Sequence, residues 1–438
     1  MRPHTRRQVL AALAGAALLA ATGSAAAAPA PSTVPPLGDD FYWGVSASGF
    51  QSEGHAPDSN WTRYIASHPD YDRYGDSVDF YTRYASDIAL AKNLGVNVYR
   101  IGIEWARLQP SPGVWDEAGF RFYDAVIDAI EAAGMRPMLT LDHWVYPGWE
   151  LDRGGWSNPA MLDDWLTNMR KVVDRYAARN PLWVTINEPA MYLMNETRNG
   201  GLAATDIPAM QERLIAAHNG IYDYIHQVRP GSMVTSNVAY IPSVDNAING
   251  AMLNGIAARL DYVGIDYYYG LSPDSLTAAP NALSQLWKMP LQADGIYYAL
   301  RHFARMFPGK PLYIVENGMP TENGLPRADG YLRGDDLRDT IYWIQRAKAD
   351  GMNIMGYNYW SLTDNYEWGS YTPRFGLYTV DVLTDPNLTR RPTDAVDAYR
   401  AITRDGGVPA DYLPTRAPAT CSLVDAPSSC SEPVTVPR

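Results

Sequence analysis

Cysteine is nearly absent: the 438 residues hold two, Cys421 and Cys430, both in the Pro-rich stretch after residue 405. Their C-x8-C spacing with no histidine nearby excludes a zinc site, and redox chemistry would want a tighter pair. Cations are in deficit, with 36 Lys and Arg against 48 Asp and Glu, a net charge of −12. Such a surface repels phosphate backbones and anionic lipid, which excludes nucleic acid as a partner. Long apolar runs are missing as well. The N-terminal run from Val9 to Ala21 is Ala-rich and falls short of the roughly 20 strongly apolar residues that span a bilayer, so no stable membrane anchor is expected. Phenylalanine is scarce, 8 against 30 Tyr and 13 Trp. The excess lies in rings with a flat apolar face and a polar tip, the kind that stack on sugars and that also fill ordinary cores. Hydrophobic residues at 46% and charged residues at 19% suit a chain with a large core and exclude wholesale disorder.

The N-terminus has the three parts of a secretory signal over residues 1–28: a basic start, the apolar run, and an Ala-rich stretch ending near Ala28. Within it, Thr5-Arg6-Arg7-Gln8-Val9-Leu10 resembles a bacterial twin-arginine signal. An exported protein is expected, and in that setting Cys421 and Cys430 read as one disulfide closing a small loop. The tail over residues 406–438 reads as an extended strap over the body or a loose end.

Length at roughly 150 residues per domain suggests about three domains, but one closed barrel can use such a length. Between residues 38 and 405, eight β-branched or aromatic runs begin near Phe41, Asn97, Met135, Pro181, Ser232, Asp261, Leu312 and Ile354. Helical periodicity fills the gaps, as in Phe80 to Leu94, Ala118 to Ala133, Met161 to Tyr176, Met210 to His226 and Leu337 to Ala349. Eight strand–helix units with right-handed crossovers close most naturally into a single (β/α)8 TIM barrel, whose chemistry stands at the C-terminal ends of the strands. An open doubly wound sheet would want a Gly-rich phosphate turn after the first strand, and Gly44-Val45-Ser46-Ala47-Ser48-Gly49 lacks that pattern.

A barrel predicts polar residues clustered where strands stop. After the first strand come Gln51 and Glu53, and the second contains Arg100 and Glu104. The third ends in His143-Trp144, the fourth in Asn187-Glu188-Pro189, the sixth in Asp266-Tyr267-Tyr268. The seventh ends in Glu316-Asn317-Gly318 and the eighth in Trp360, followed by Glu367-Trp368. An ionised group buried there without a partner costs several kcal/mol, so either a functional site or a paired network must hold these residues. Glu188 and Glu316 close two apolar runs in the same way, on strands expected at opposite sides of the mouth. Two carboxyl groups about 5 to 5.5 Å apart perform double-displacement glycoside hydrolysis, whereas about 6.5 to 9.5 Å leaves room for water and inversion.

The same residues resemble glycoside hydrolase family 1, the β-glucosidase family, from about Phe41 to Arg404. The resemblance rests on Phe41-Tyr42-Trp43-Gly44 through Gly54, Tyr99 to Trp105 with Arg107, His143-Trp144, Thr185 to Pro189 and Glu316 to Gly318. The longest segment is Trp360 to Trp368, followed by Arg374-Phe375-Gly376-Leu377 and Asp381. The resemblance implies that Glu188 is the general acid/base and Glu316 the nucleophile, with Arg100 and Tyr268 supporting Glu316. It implies that Gln51, His143, Trp144, Asn187, Glu367 and Trp368 bind sugar over a Trp360 floor, with no cofactor and no metal. A carboxylate at Glu367 would repel a 6-phosphate, so an unphosphorylated glycoside is expected. His218 and His226, on a helix without ligand partners, read as structural, and Trp43, Trp105 and Trp115 as core.

Three features depart from the family. Asp266 stands where Asn is usual. Val145-Tyr146 replaces an expected Asp-Leu, removing a polar support, and the stretches after Pro189 and between Ser232 and Asp261 are short, which suggests an open aglycone side. The reading is an exported retaining exo-β-glycosidase, β-glucosidase-like, acting on small-molecule or oligosaccharide β-glycosides. The alternatives are an exo-β-galactosidase or β-fucosidase with the same machinery, and a catalytically silent sugar-binding protein.

Overall fold

The computed structural model describes residues 33–242, 244–283 and 285–435; the signal read over residues 1–28 lies outside them. Its principal strands are β1 (Tyr42–Ser46), β2 (Val98–Gly102), β3 (Arg136–Asp142), β4 (Leu182–Ile186), β5 (Met233–Thr235), β6 (Val238–Ala239), β7 (Val263–Asp266), β8 (Leu312–Glu316), the short β9 (Thr321–Glu322) and β10 (Ile354–Trp360). All except β9 form one sheet in the order β5-β4-β3-β2-β1-β10-β8-β7-β6, with parallel pairing throughout. The two strands at the ends of that order, β5 and β6, are consecutive in the chain and separated only by Ser236 and Asn237. They are two halves of a fifth strand, one paired to β4 and the other to β7. The ring closes through that step, and the fold is the expected (β/α)8 TIM barrel.

One expectation needs correction. β4 and β8 do not face each other across the ring; they are separated by the split fifth strand and β7 on the short side. Glu188 and Glu316 therefore approach along an arc of the mouth, and the strand between them, β7, brings its own terminal residue, Asp266, into the gap.

Alternation along the strands sorts side chains into two layers. Val98, Met138, Leu182, Val184, Tyr262, Tyr313 and Val315 pack together as the barrel's own filling. Tyr99, Ile101, Leu139, Trp183 and Ile314 join the larger cluster shared with the helices. The helix Met161–Tyr176 shows how that outer layer forms, because Met161, Trp165, Met169, Val172, Val173 and Tyr176 are buried at a period near four while Asp163 and Asp164 stand in the first turn and Arg175 in the last, matching the helix dipole.

The tail is a strap. Buried Asp339 accepts hydrogen bonds from the hydroxyls of Tyr331 (2.6 Å) and Tyr412 (2.7 Å) and from the backbone N–H groups of Thr415 (2.8 Å) and Arg416 (3.1 Å). Farther on, Leu423 N–H donates to the Leu271 carbonyl (2.7 Å) and Asp425 N–H to the Tyr240 hydroxyl (3.0 Å). Cys421 and Cys430 form the disulfide that closes this loop. Asp339 thus gathers four donors, three of them from the tail. Asp339→Ala is expected to lower stability by about 3 kcal/mol, read as a fall in the urea midpoint; an unchanged midpoint would show that the tail is not clamped there.

Candidate active site

Midway along β2, Arg100 is fully buried among polar groups. Its Nε donates to Thr140 Oγ1 (2.8 Å), one terminal nitrogen to Glu316 and the other to Asn187 Oδ1 (2.6 Å). Tyr268 donates its hydroxyl to the second oxygen of Glu316 (2.7 Å). Glu316, 4% exposed, is thereby held by a guanidinium on one oxygen and a phenol on the other.

Glu188 is built differently. Strand β4 turns into the helix Pro189–Asn199 within two residues, Asn187 and Glu188, and Glu188 makes that turn in the left-handed region, φ 39° and ψ 65°. A side-chain-bearing residue adopts this conformation at a cost of about 1–3 kcal/mol. Its N–H donates to the Asn237 carbonyl (3.1 Å) and its carbonyl accepts from Tyr192 (3.0 Å); Pro189 at the first helical position has no N–H to satisfy. Among the described residues no arginine pairs with its carboxyl, which is pushed up to about 8 by burial and then by the charge of Glu316. Among Glu188, Asp266 and Glu316, at least one oxygen of each lies within 4.8 Å of the others. The two glutamates thus sit in different surroundings, Glu316 against a guanidinium and Glu188 raised by burial and by the charge of Glu316.

Asn187 connects the two sides. Its Oδ1 accepts from Arg100 and from Asn237 Nδ2 (2.7 Å), which turns its own Nδ2 toward His143 Nε2 (3.1 Å). The imidazole therefore accepts at Nε2 and carries its proton on Nδ1, a buried atom without a protein partner. Burial, with Arg100 adding, holds His143 well below the usual imidazole range, so it stays neutral. A neutral ring with a free N–H is suited to a sugar hydroxyl.

On the other side of the mouth, β1 and β10 are neighbours, with Ser46 opposite Trp360. Gln51 Nε2 donates to Glu367 (3.3 Å) and to Asn365 (3.1 Å), and Trp360 Nε1 donates to Glu367 (3.1 Å). The Trp360 ring lies 6.0 Å from that of His143 at 29°. Trp144 stands behind this face: its Nε1 donates to the Asn187 carbonyl (2.7 Å) and its ring packs 4.6 Å from Trp368, so it orients both residues.

Several polar residues at strand ends belong to paired networks. Glu53 accepts from Arg107 (2.9 Å) and Tyr123 (2.8 Å), while Glu104 caps the Phe50 N–H (3.0 Å). His218 is held between Thr185 and the Arg259 carbonyl, both at 2.7 Å, and His226 meets Asp261 at 2.9 Å. The polar support expected to be missing at Val145-Tyr146 is supplied from elsewhere, since the hydroxyls of Tyr146 (2.7 Å) and Tyr64 (3.0 Å) and the amide of Asn60 (3.1 Å) all donate to buried Glu196. Sequence reasoning passed over Asn237, which touches Asn187, Asp266 and the Glu188 backbone. Its signal was the missing polar residue at the mouth of the fifth strand, the one strand for which none was named.

The profile of glycosyl hydrolase family 1 matches residues 34–238 and 273–408. The chain belongs to that family. Beta-glucosidase A of Thermotoga maritima is 26% identical over 84% of this chain and 98% of its own length, and Beta-glucosidase 28 of Arabidopsis thaliana 27% over 83% and 80%. Among solved structures, the beta-glycosidase from Pyrococcus horikoshii superposes with a TM-score of 0.73 at 25% identity, covering 86% of this chain and 96% of that one. The protein is a glycoside hydrolase. The stretch between the two matched blocks, 239–272, contains both Asp266 and Tyr268.

Because Asn237 orients Asn187 and Asp266 together, Asn237→Ala is expected to reduce the hydrolase's kcat/KM on an aryl β-glycoside on the order of 10²-fold, the cost of a small misplacement at a reacting centre. Equal kcat/KM in variant and parent would remove Asn237 from the site.

Proposed function

We propose that this hydrolase is an exported, retaining exo-β-glycosidase acting on unphosphorylated terminal β-glycosides, β-glucosides first among them. The observation that carries the reading is the proximity of two carboxyl groups in different surroundings, Glu316 paired with Arg100 and Glu188 pushed up to about 8 by burial and by the charge of Glu316. An oxygen of each within 4.8 Å of one of the other supports direct attack, the reaction of carboxyls set about 5 to 5.5 Å apart.

In the first step a Glu316 oxygen bonds to the anomeric carbon, the glycosidic C–O bond breaks, and the Glu188 proton passes to the departing oxygen. Esterification removes the charge on Glu316, and with it one cause of the raised Glu188 pKa. Glu188, now a carboxylate, takes a proton from water as its oxygen bonds to the anomeric carbon and the ester breaks. Asn187 and His143 are assigned to hydroxyls near the reacting carbon, Gln51, Glu367 and Trp368 to the remote ones, and Trp360 to the sugar face. Glu367, whose pKa is raised by burial, can both accept and donate, which suits neutral hydroxyls and not a phosphate. The Thermotoga and Arabidopsis relatives named as beta-glucosidases favour glucose over galactose or fucose as the glycone.

Glu316→Gly is expected to lose roughly 10⁵-fold in kcat, the scale of removing a nucleophile in other covalent hydrolases, and to form an α-glycosyl azide when azide is added; unimpaired hydrolysis would sink the assignment. Glu188 must carry its proton in the free enzyme. Activity should therefore hold below its raised pKa and decline as pH rises through about 8, and Glu188→Ala should abolish that limb while sparing substrates with activated leaving groups.

Export is proposed from the twin-arginine pattern at Arg6-Arg7. Replacing both with lysine should strand the folded enzyme in the cytoplasm, and unchanged secretion would argue for the general secretory route.

A further inference from the structure

Asp266 is the third acid of the mouth, and nothing in the double-displacement scheme requires it. It ends β7 and is 1% exposed. An irregularity in the β7–β8 register places it directly opposite Glu316, where regular pairing would have set it against Val315. Irregularities of this kind beside active sites re-aim side chains, and this one puts two carboxyl groups side by side.

The nearby cation is already engaged. The three nitrogens of Arg100 go to Thr140, Glu316 and Asn187, and none reaches Asp266. One Asp266 oxygen accepts from Asn237 Nδ2. The other, Oδ1, is buried with no hydrogen-bond partner among the described residues, while a carboxyl oxygen of Glu188 lies within 4.8 Å of one of Asp266. Two carboxylates this close repel, whereas a proton on Asp266 removes its share of the repulsion and lets the orphaned oxygen donate toward Glu188, which keeps its own proton for the leaving group.

We infer that Asp266 works as a neutral carboxylic acid, a positioning residue that donates its hydrogen bond to Glu188 and takes the place of an amide. The shape is the same: a carbonyl oxygen toward Asn237 and a donor toward the acid/base. Burial, then the charges of Glu316 and Glu188, act in that direction by raising its pKa far above the usual carboxylate range, with Arg100 opposing. The titratable groups that face this pair are Glu316, Arg100, Tyr268 and, toward Glu188, Tyr269 and Glu367. When Glu188 gives up its proton to the leaving group, the Asp266 hydroxyl is already aimed at the new carboxylate and stabilises it. The inference rests on Glu188 being the acid/base, and the position lies in the segment that the family profile passes over, 239–272.

The test compares Asp266→Asn and Asp266→Ala with the parent, using kcat/KM between about pH 5 and about pH 10 and infrared spectra of the resting enzyme. A neutral Asp266 predicts a protonated-carboxyl band at neutral pH that is lost in Asp266→Asn. It also predicts that the amide keeps kcat/KM within about tenfold and moves the alkaline limb by less than about half a unit, while Asp266→Ala loses on the order of 10²-fold. An ionised Asp266 would instead contribute no such band, and Asp266→Asn would move the alkaline limb toward acid by about one unit or more; either result overturns the inference. So would loss of parent activity on chelation, which would mean that a cation and not a proton balances the three acids. The infrared band is read without turnover, so a failure of the glycosidase reading, diagnosed by Glu316→Gly with azide, remains distinguishable.

Discussion

The buried guanidinium of Arg100 is the group on which the mouth of this barrel depends. It sits in the middle of β2 with no solvent contact, and each of its three hydrogen-bonding nitrogens holds a different strand: Thr140 on β3, Asn187 just past β4 and Glu316 at the end of β8. An unpaired cation at this depth would cost several kcal/mol, so the barrel can close only with a carboxylate opposite it. The pairing of Glu316 with Arg100 is in this sense a requirement of the fold itself.

One fixed cation among several acids also sets the charge state of everything around it. Glu316 takes the guanidinium, and Glu188 and Glu367 are left to burial, which raises both. His143, near the same cation, is held neutral. The mouth therefore pairs one positive with one negative charge and otherwise offers neutral donors and acceptors, among them the unpartnered Nδ1 of His143 and Oδ1 of Asn237. That environment suits an uncharged, hydroxyl-rich ligand and disfavours a phosphorylated one.

Much of this was legible in the chain. The eight strand positions follow from short apolar runs at regular intervals, and the helices from a strong 3.6-residue period, as in Met161–Tyr176. Polar residues at strand ends are conspicuous because their neighbours are apolar, which is why Arg100, His143, Asn187, Glu188 and Glu316 could be named from sequence. What could not be read was which end residues face the mouth. Glu53 and Glu104 look as catalytic on paper as Glu316, yet they are absorbed by Arg107, Tyr123 and the Phe50 backbone. Partner choice is a three-dimensional property, and so is the break in the fifth strand that exposes Asn237, because Met233 to Ala239 reads as one uninterrupted strand. The substitute support for Tyr146 was hidden for the same reason, since Glu196 lies 50 residues away in sequence.

The segment that departs most from the family is also the one tied to the tail. Residues 239–272 fall outside the matched blocks, and within them Tyr240 and Leu271 receive hydrogen bonds from Asp425 and Leu423 of the disulfide-closed loop. Tyr240 in turn donates its N–H to the Asp266 carbonyl (2.9 Å). A covalently closed loop thus stands two hydrogen bonds away from the backbone of the third acid, on the side of the barrel where β6 is only two residues long. Such a short strand contributes little ladder of its own, and the β7–β8 pairing beside it, irregular at Asp266 because Val315 of β8 is skipped, contributes less than a regular one would. The strap supplies from outside the rigidity that the sheet lacks at this point, and rigidity there is what a precise Asp266–Glu188 contact needs.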